Sequence, residues 1–289
     1  MTQHIAFYGK GGAGKSTLAA NIAAALAEGG HRVMLVGCDP KADTGTLLHG
    51  RESVRTIIDS LAAGDDSPAE TFVTKGFRDV ACTELGDPAD LGECAAVGIA
   101  RAFARLAELQ VIAASRADFV FYDIPGDTGC SGVASPIRQI ACQRAFVVIG
   151  ADLTSLYTAN ALFRDYQQHR QERPIPVALI ANGLSGSFED SFVRDFARQV
   201  GVQLFGSIPR SLVVKQCELY RQTVIEAAPL ANLAHYYRRL ARYLVAGDLP
   251  EHSAVPQAIT TADLKQWARG WGDCISEMEF GVIRDGAGI

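Results

Sequence analysis

Six short apolar runs punctuate the chain, at residues 5–8, 33–36, 119–122, 146–149, 177–181 and 204–208. Five of them are apolar at every position, as a strand covered on both faces must be, whereas a sheet with one wet face would alternate; 204–208 carries Gly206 and Ser207 between its apolar residues. Helical patterns lie between them. The alanine-rich stretch 18–27 follows the first run, and 95–109 reads as a helix ahead of the third. At 188–199, Phe188, Phe192 and Phe196 recur at i, i+4 and i+8, a stripe that reads as core packing rather than a stacking platform. Strand alternating with helix predicts an α/β fold with a doubly wound, mainly parallel sheet, whose ligands sit at the carboxyl ends of the strands.

Gly247, Pro250 and Pro256 mark a linker over 246–256, dividing a main body at 1–245 from a tail at 246–289. In the tail, Thr260 or Thr261 can accept from the free N–H groups of a first turn, predicting a short helix to about Trp271. This tail is expected to fold back on the body or onto a second subunit.

Composition narrows the picture. With 289 residues and 48% hydrophobic content, the chain can bury one substantial core. A net charge of −5 gives no basic stripe, which argues against a nucleic-acid ligand. The first strand begins within a few residues of the start, and no apolar run approaches a membrane span, so a cytoplasmic protein is expected, with neither signal peptide nor membrane partner. Seven cysteines in a reducing compartment are free thiols or metal ligands rather than disulfides.

The segment Gly9, Lys10, Gly11, Gly12, Ala13, Gly14, Lys15, Ser16, Thr17, set between a strand and a helix, has the spacing of a phosphate-binding loop. Glycines turn successive backbone N–H groups inward, and the helix presents its positive end to the same anion. Lys15 is placed to reach the β- and γ-phosphates and Ser16 to ligate Mg²⁺. Lys10 is a second cation that the ordinary loop does not need. In this lysine-rich variant such a residue reaches a nucleotide held by the opposing subunit, which predicts a dimer sandwiching two nucleotides; a solvated surface lysine is the plainer alternative.

After the second strand come Asp39, Lys41 and Asp43, acids and a lysine placed to sense Mg²⁺ and the γ-phosphate. After the strand at 119–122 come Asp123, Gly126 and Asp127. Asp123 would hold the metal through water, Gly126 could donate its N–H to the γ-phosphate, and Asp127 could orient or deprotonate the attacking water. Any one acid could be a helix cap or a loop charge; their joint placement favours a hydrolysis switch.

Cys130 follows Asp127 by three residues, and Cys94 precedes a helix, where backbone donors favour an anionic sulfur. Cys38, Cys82, Cys142, Cys217 and Cys274 read as small buried hydrophobes. Two thiolates per chain, doubled by a two-fold axis, would supply the four ligands of a [4Fe–4S] cluster, though spacing alone leaves this open.

Taken together, G-K-G-G-x-G-K-S-T, G-C-D-P-K-A-D, F-V-F-Y-D-x-x-G-D-x-x-C and Y-T-A-N resemble the iron-protein, or reductase, component of the nitrogenase family, which includes chlorophyllide-type and methylthio-alkane reductases. The resemblance runs from about residue 4 to about 245, and the tail near 260–272 is similar as well. It implies a homodimer bridged by one [4Fe–4S] cluster, MgATP as the energy source, ferredoxin or flavodoxin as electron donor and a heterotetrameric catalytic partner. By the same resemblance Cys94 and Cys130 are the cluster ligands and Lys10, Lys15, Ser16 and Thr17 contact phosphate or Mg²⁺. It also makes Asp39, Lys41 and Asp43 the first switch, Asp123 and Asp127 the second, and Asn182 with Pro209 and Arg210 the contacts to the base. Two departures stand out. Val97 occupies the place of the family's docking arginine, and Pro125, Thr128, Gly129 and Ser131 alter the surroundings of the second ligand. They point away from dinitrogen reduction, and the long C-terminal tail fits the chlorophyllide-type enzymes less well, so a methylthio-alkane reductase or another divergent system is expected, with a nitrogenase or chlorophyllide reductase iron protein as the alternative. A cluster-free partitioning-type dimeric ATPase would use the same lysine-rich loop but gives Cys94 and Cys130 no work.

Overall fold

The computed structural model describes residues 2–126, 142–168, 175–247 and 255–281. Its strands are β1 (Gln3–Tyr8), β2 (Val33–Gly37), β3 (Thr74–Lys75), β4 (Ala81–Glu84), β5 (Phe119–Asp123), β6 (Arg144–Ile149), β7 (Val177–Leu184) and β8 (Gln203–Pro209). They form one sheet in the order β3-β4-β2-β5-β1-β6-β7-β8. Every pairing is parallel except that of β3 with β4. The six expected strands are all present, each slightly longer than its apolar run. β3 and β4 were not foreseen, because β3 has two residues and β4 ends on the polar pair Thr83 and Glu84.

The helices are α1 (Lys15–Glu28), α2 (Thr46–His49), α3 (Ile57–Ala63), α4 (Ala95–Glu108), α5 (Val111–Ser115), α6 (Leu153–Gln168), α7 (Ser187–Gln199), α8 (Leu212–Leu219), α9 (Val224–Ala227), α10 (Asn232–Ala246) and α11 (Thr261–Phe280). Period-two alternation sends the strand side chains to two cores. Ala6, Tyr8, Val120 and Tyr122 join the core beneath α4, α6 and α7, whereas Ile5, Phe7, Phe119 and Phe121 join the core beneath α1 and α10. Alanines at positions 19, 20, 23, 24, 25 and 27 are buried, so α1 lies close on the sheet with the phosphate loop at its head. The sheet switches direction around β1, between β5 and β6, which leaves a crevice at the strand C-termini.

The tail lies against the body. Thr260 caps α11 by accepting from the Asp263 N–H, and the helix continues to Phe280, well past the expected Trp271. The phenylalanine stripe of α7 is its seat: Phe192 stacks on Trp267 at 4.9 Å, and Phe188 meets Trp271 edge-on at 5.4 Å. Both indoles donate to Asp195 Oδ2, at 2.7 and 3.0 Å. Ahead of α11, buried Asn160 donates to the Ile259 carbonyl and accepts from its N–H, both at 2.9 Å. Among the described residues, no helix is long and apolar enough to cross a membrane.

Candidate nucleotide and cluster site

β1 delivers the chain to the phosphate loop, and α1 leaves it from Gly14, which has the left-handed backbone usual for glycine. The Ala13 N–H bonds back to the Lys10 carbonyl (3.1 Å), and the buried Lys15 ammonium reaches the same oxygen at 3.4 Å, spanning the hollow of the loop. Ser16, in the first turn of α1, donates to Asp123 Oδ2 at the tip of β5. Thr17 donates to Glu218 at 2.9 Å.

Asp123 is 1% exposed. Burial raises its carboxyl above the usual range, against Ser16, Lys15 and Thr44, which pull it down. Its Oδ2 also accepts from Thr44 (3.1 Å), while Oδ1 is buried without a hydrogen-bond partner among the described residues. A buried carboxylate oxygen left unpaired beside a serine hydroxyl and a phosphate loop is a donor set suited to a hydrated Mg²⁺. The hollow of the loop likewise suits the phosphates of ATP.

The two stretches expected to act as switches meet at this point. In the first, the Lys41 N–H binds Asp39 Oδ1 (3.0 Å) and the Ala42 N–H binds the Asp39 carbonyl (3.0 Å), a tight turn that leaves Lys41 and Asp43 exposed. In the second, Gly126 packs directly on the phosphate loop: a Cβ there would lie 2.4 Å from the Gly9 carbonyl oxygen, so no larger residue fits without displacing the loop. Asp127 and Cys130 lie outside the described residues.

Lys10 is neither free nor simply solvated. Its ammonium pairs with Asp152 at 3.2 Å and donates to Thr154, the two partners of the ion pair being 38% and 56% exposed. Any reach toward a second subunit must leave this pair. Asn182, expected at the base, donates to the Ala13 carbonyl (2.9 Å), tying the end of β7 to the phosphate loop. Arg210 lies beside it, with its N–H on the Leu184 carbonyl (2.9 Å) and its Nε near the Gly183 carbonyl (3.4 Å). Pro209 aligns with Leu184 across β7 and β8. The three residues expected at the base are thus brought to one end of the sheet.

Cys94 is exposed and caps α4, its carbonyl accepting from the Val97 and Gly98 N–H groups at 3.0 and 3.1 Å. An accessible sulfur at the start of a fourteen-residue helix suits an anionic ligand of iron. Beside it Glu93 pairs with Arg101, and Val97 is 49% exposed. Cys38, Cys82, Cys142 and Cys217 are buried as expected. Burial pushes the thiols up, that of Cys142 to about 12. Cys274 departs from the expectation: it lies on α11 and is exposed. Thr44, Glu84, Asp152 and Glu218 were missed from sequence. Only Thr44 had a local signal, as a hydroxyl next to Asp43.

The phosphate loop between β1 and α1, with a buried carboxylate at the tip of β5 beside it, defines a P-loop nucleotide-binding α/β protein. The fold is shared with the septum site-determining protein MinD of Pyrococcus horikoshii OT3, solved with Mg-ADP (TM-score 0.67, 20% identity, 87% of this chain and 100% of that one). It is shared too with a ParA family ATPase from Chlorobium tepidum TLS (TM-score 0.66, 24% identity, 84% and 98%). At those identities the likeness concerns the fold alone. A curated relative is nearer in sequence: nitrogenase iron protein 2 of Paenibacillus durus, 37% identical over 286 residues, which are 99% of this chain and 97% of that protein. Residues 3–271 match the 4Fe-4S iron–sulfur cluster binding proteins of the NifH/frxC family, and the chain belongs to that family. It is accordingly a nitrogenase-like iron protein, an ATP-coupled oxidoreductase component with a [4Fe–4S] cluster and MgATP as cofactors.

Proposed function

We propose that two copies of this chain share one [4Fe–4S] cluster through Cys94 and Cys130 of each, and that MgATP hydrolysis gates electron delivery from this cytoplasmic dimer to a nitrogenase-like catalytic partner. The observation that carries the reading is the junction at Asp123, where Ser16 of the phosphate loop and Thr44 at the end of the first switch meet one buried carboxylate. Gly126 of the second switch presses on the same loop. When bound, the cluster supplies one low-potential electron to the partner and regains it from ferredoxin or flavodoxin.

The chain's own residues do the rest. Lys15 and the loop amides bind the phosphates, Ser16 and Asp123 hold Mg²⁺, and Asp127 orients the attacking water and takes its proton. Lys10 exchanges Asp152 for the nucleotide of the partner subunit. Asp39, Lys41 and Gly126 contact ATP and ADP differently, and that difference biases a two-state dimer.

For the partner, the exposed Val97 three residues beyond Cys94 favours a methylthio-alkane reductase or another divergent system over nitrogenase or chlorophyllide reductase. A partitioning-type ATPase accounts for Lys10 and the switches but not for an exposed cysteine capping α4. Anaerobic purification tests the reading. About four irons per dimer and a co-purifying heterotetramer are expected. Lys15→Ala should lose nucleotide, whereas Asp127→Asn should keep MgATP and lose most turnover. Protein that binds MgATP but takes up no iron on reconstitution would refute the proposal.

A further inference from the structure

Glu84 has no part in the function above, yet it is the most deeply buried acid beside Asp123. It ends β4, is 1% exposed, and aligns with Gly37, whose other neighbour in the sheet is Asp123. The missing side chain of Gly37 makes room for what lies between: a Cβ at position 37 would sit 1.7 Å from Glu84 Oε2 and 2.8 Å from Thr44 Oγ1. The carboxyl and the threonine hydroxyl share that space. Glu84 Oε1 accepts from the Gly45 N–H at 2.9 Å, and Thr44 donates to Asp123 Oδ2, which also accepts from Ser16. A continuous line of contacts therefore runs from Ser16 through Asp123 and the end of the first switch to the tip of β4. Oε2 is buried without a hydrogen-bond partner among the described residues.

Beyond Glu84 the chain leads to Cys94 and is pinned along the way. The Leu85 N–H binds the Gly37 carbonyl (2.8 Å), its carbonyl accepts from the Ile58 N–H (2.9 Å), and Asp87 caps the Ala89 N–H (2.9 Å). Pro88 packs on Gly98 of α4 so closely that a Cβ at 98 would lie 2.6 Å from the proline Cβ. A segment held in this way moves with its neighbours rather than independently of them.

We propose that Glu84 is a positioning residue that transmits the state of the first switch along the end of β4 to the Cys94 loop, a route separate from the one through Asp127 and Cys130. The proposal rests on the nucleotide-gated cluster described above. Without the carboxyl group, the Gly45 N–H loses its partner, and the switch and the cysteine loop respond to nucleotide separately.

The test uses the anaerobic holoprotein without nucleotide, with MgADP and with MgATP. Cluster loss to a ferrous chelator is followed by absorbance, and amide hydrogen exchange is read over residues 85–98. In the wild type both should differ between MgADP and MgATP. Glu84→Ala should shrink the ratio of the two chelation rates by about fivefold or more. Its exchange over 85–98 should become indifferent to nucleotide while MgATP binding stays within about threefold of wild type. Glu84→Gln, whose amide oxygen still accepts from Gly45, should restore the wild-type ratio. A Glu84→Ala ratio equal to wild type overturns the coupling, as does loss of MgATP binding in step with the ratio, which would make Glu84 part of the nucleotide site. Should Glu84→Ala not fold, Thr44→Val breaks the same line of contacts, and an unchanged ratio there overturns the proposal equally. A wild type indifferent to nucleotide would instead overturn the gating itself, and the coupling with it.

Discussion

Replacing Glu84 by glutamine should flatten the pH dependence of folding stability in the protein freed of nucleotide and magnesium. Burial raises the Glu84 carboxyl from an ordinary 4.5 to about 8, with Asp123, Asp43 and Asp39 adding to the rise and the Gly45 N–H opposing it. Between those two values the folded chain keeps a proton that the unfolded chain has released. Stability therefore falls as pH rises, by about 1.4 kcal/mol per unit. The contribution is complete below pH 4.5, is lost as pH passes about 8, and amounts to on the order of 5 kcal/mol across the gap. Glutamine keeps the volume and the acceptor for Gly45 but has no proton to lose. Asp123, which burial also raises, is common to both proteins, so the difference between their curves isolates Glu84. The assay is urea unfolding at steps from about pH 5.5 to about pH 8.5, read as midpoints at constant slope. The wild-type midpoint should fall relative to the variant throughout this range. Parallel curves would show that the Glu84 carboxylate is already ionised in the fold, and the burial argument would fail.

Three further outcomes are expected. Cys94→Ser or Cys130→Ser should abolish the cluster signal on reconstitution, whereas Cys82→Ser, at a buried thiol, should leave it; equal loss in all three would contradict the assignment. Asp152→Ala, which releases Lys10, should tighten MgATP binding by no more than about fivefold, since an exposed ion pair is worth under about 1 kcal/mol. Weaker binding on titration would mean that Asp152 holds Lys10 where the nucleotide needs it. Trp267→Ala removes a ring stacked on Phe192 and a bond to Asp195, costing roughly 2–3 kcal/mol of tail docking, and should speed proteolysis within α11 while leaving the nucleotide site intact. An unchanged cleavage rate would show that the clamp does not hold the tail.

Much of the fold was legible because buried parallel strands leave uninterrupted apolar runs, which β1, β2, β5, β6 and β7 each carry, while that of β8 is broken only by Gly206 and Ser207. β4 escaped because its four residues include Thr83 and Glu84. The phosphate loop could be read because its chemistry is local: Lys15 and Ser16 work through backbone that is contiguous in sequence. The contacts that organise it are not local. Thr44 reaches Asp123 across seventy-nine positions, Lys10 reaches Asp152 across one hundred and forty-two, and Glu84 meets Gly45 only because β2 and β4 align Gly37 with Glu84. Such register is a property of the sheet and leaves no spacing to read. Asn160 shows the same limit, since it sat in plain view within Y-T-A-N yet its role emerges only once the tail lies beside α6.

The clamp on the tail also fixes what the protein's intrinsic fluorescence can report. The chain has two tryptophans, Trp267 and Trp271, and both lie on α11 with their indole N–H groups on one carboxylate of α7. Both rings pack on phenylalanines of α7, so the indole emission follows the docking of the tail. A change in that emission on adding MgATP would report movement of the tail on α7, the helix that follows the end of β7, where Asn182 holds the Ala13 carbonyl. The native chain thereby contains an optical probe of its own C-terminus, with no label to attach and no competing fluorophore of its kind to subtract.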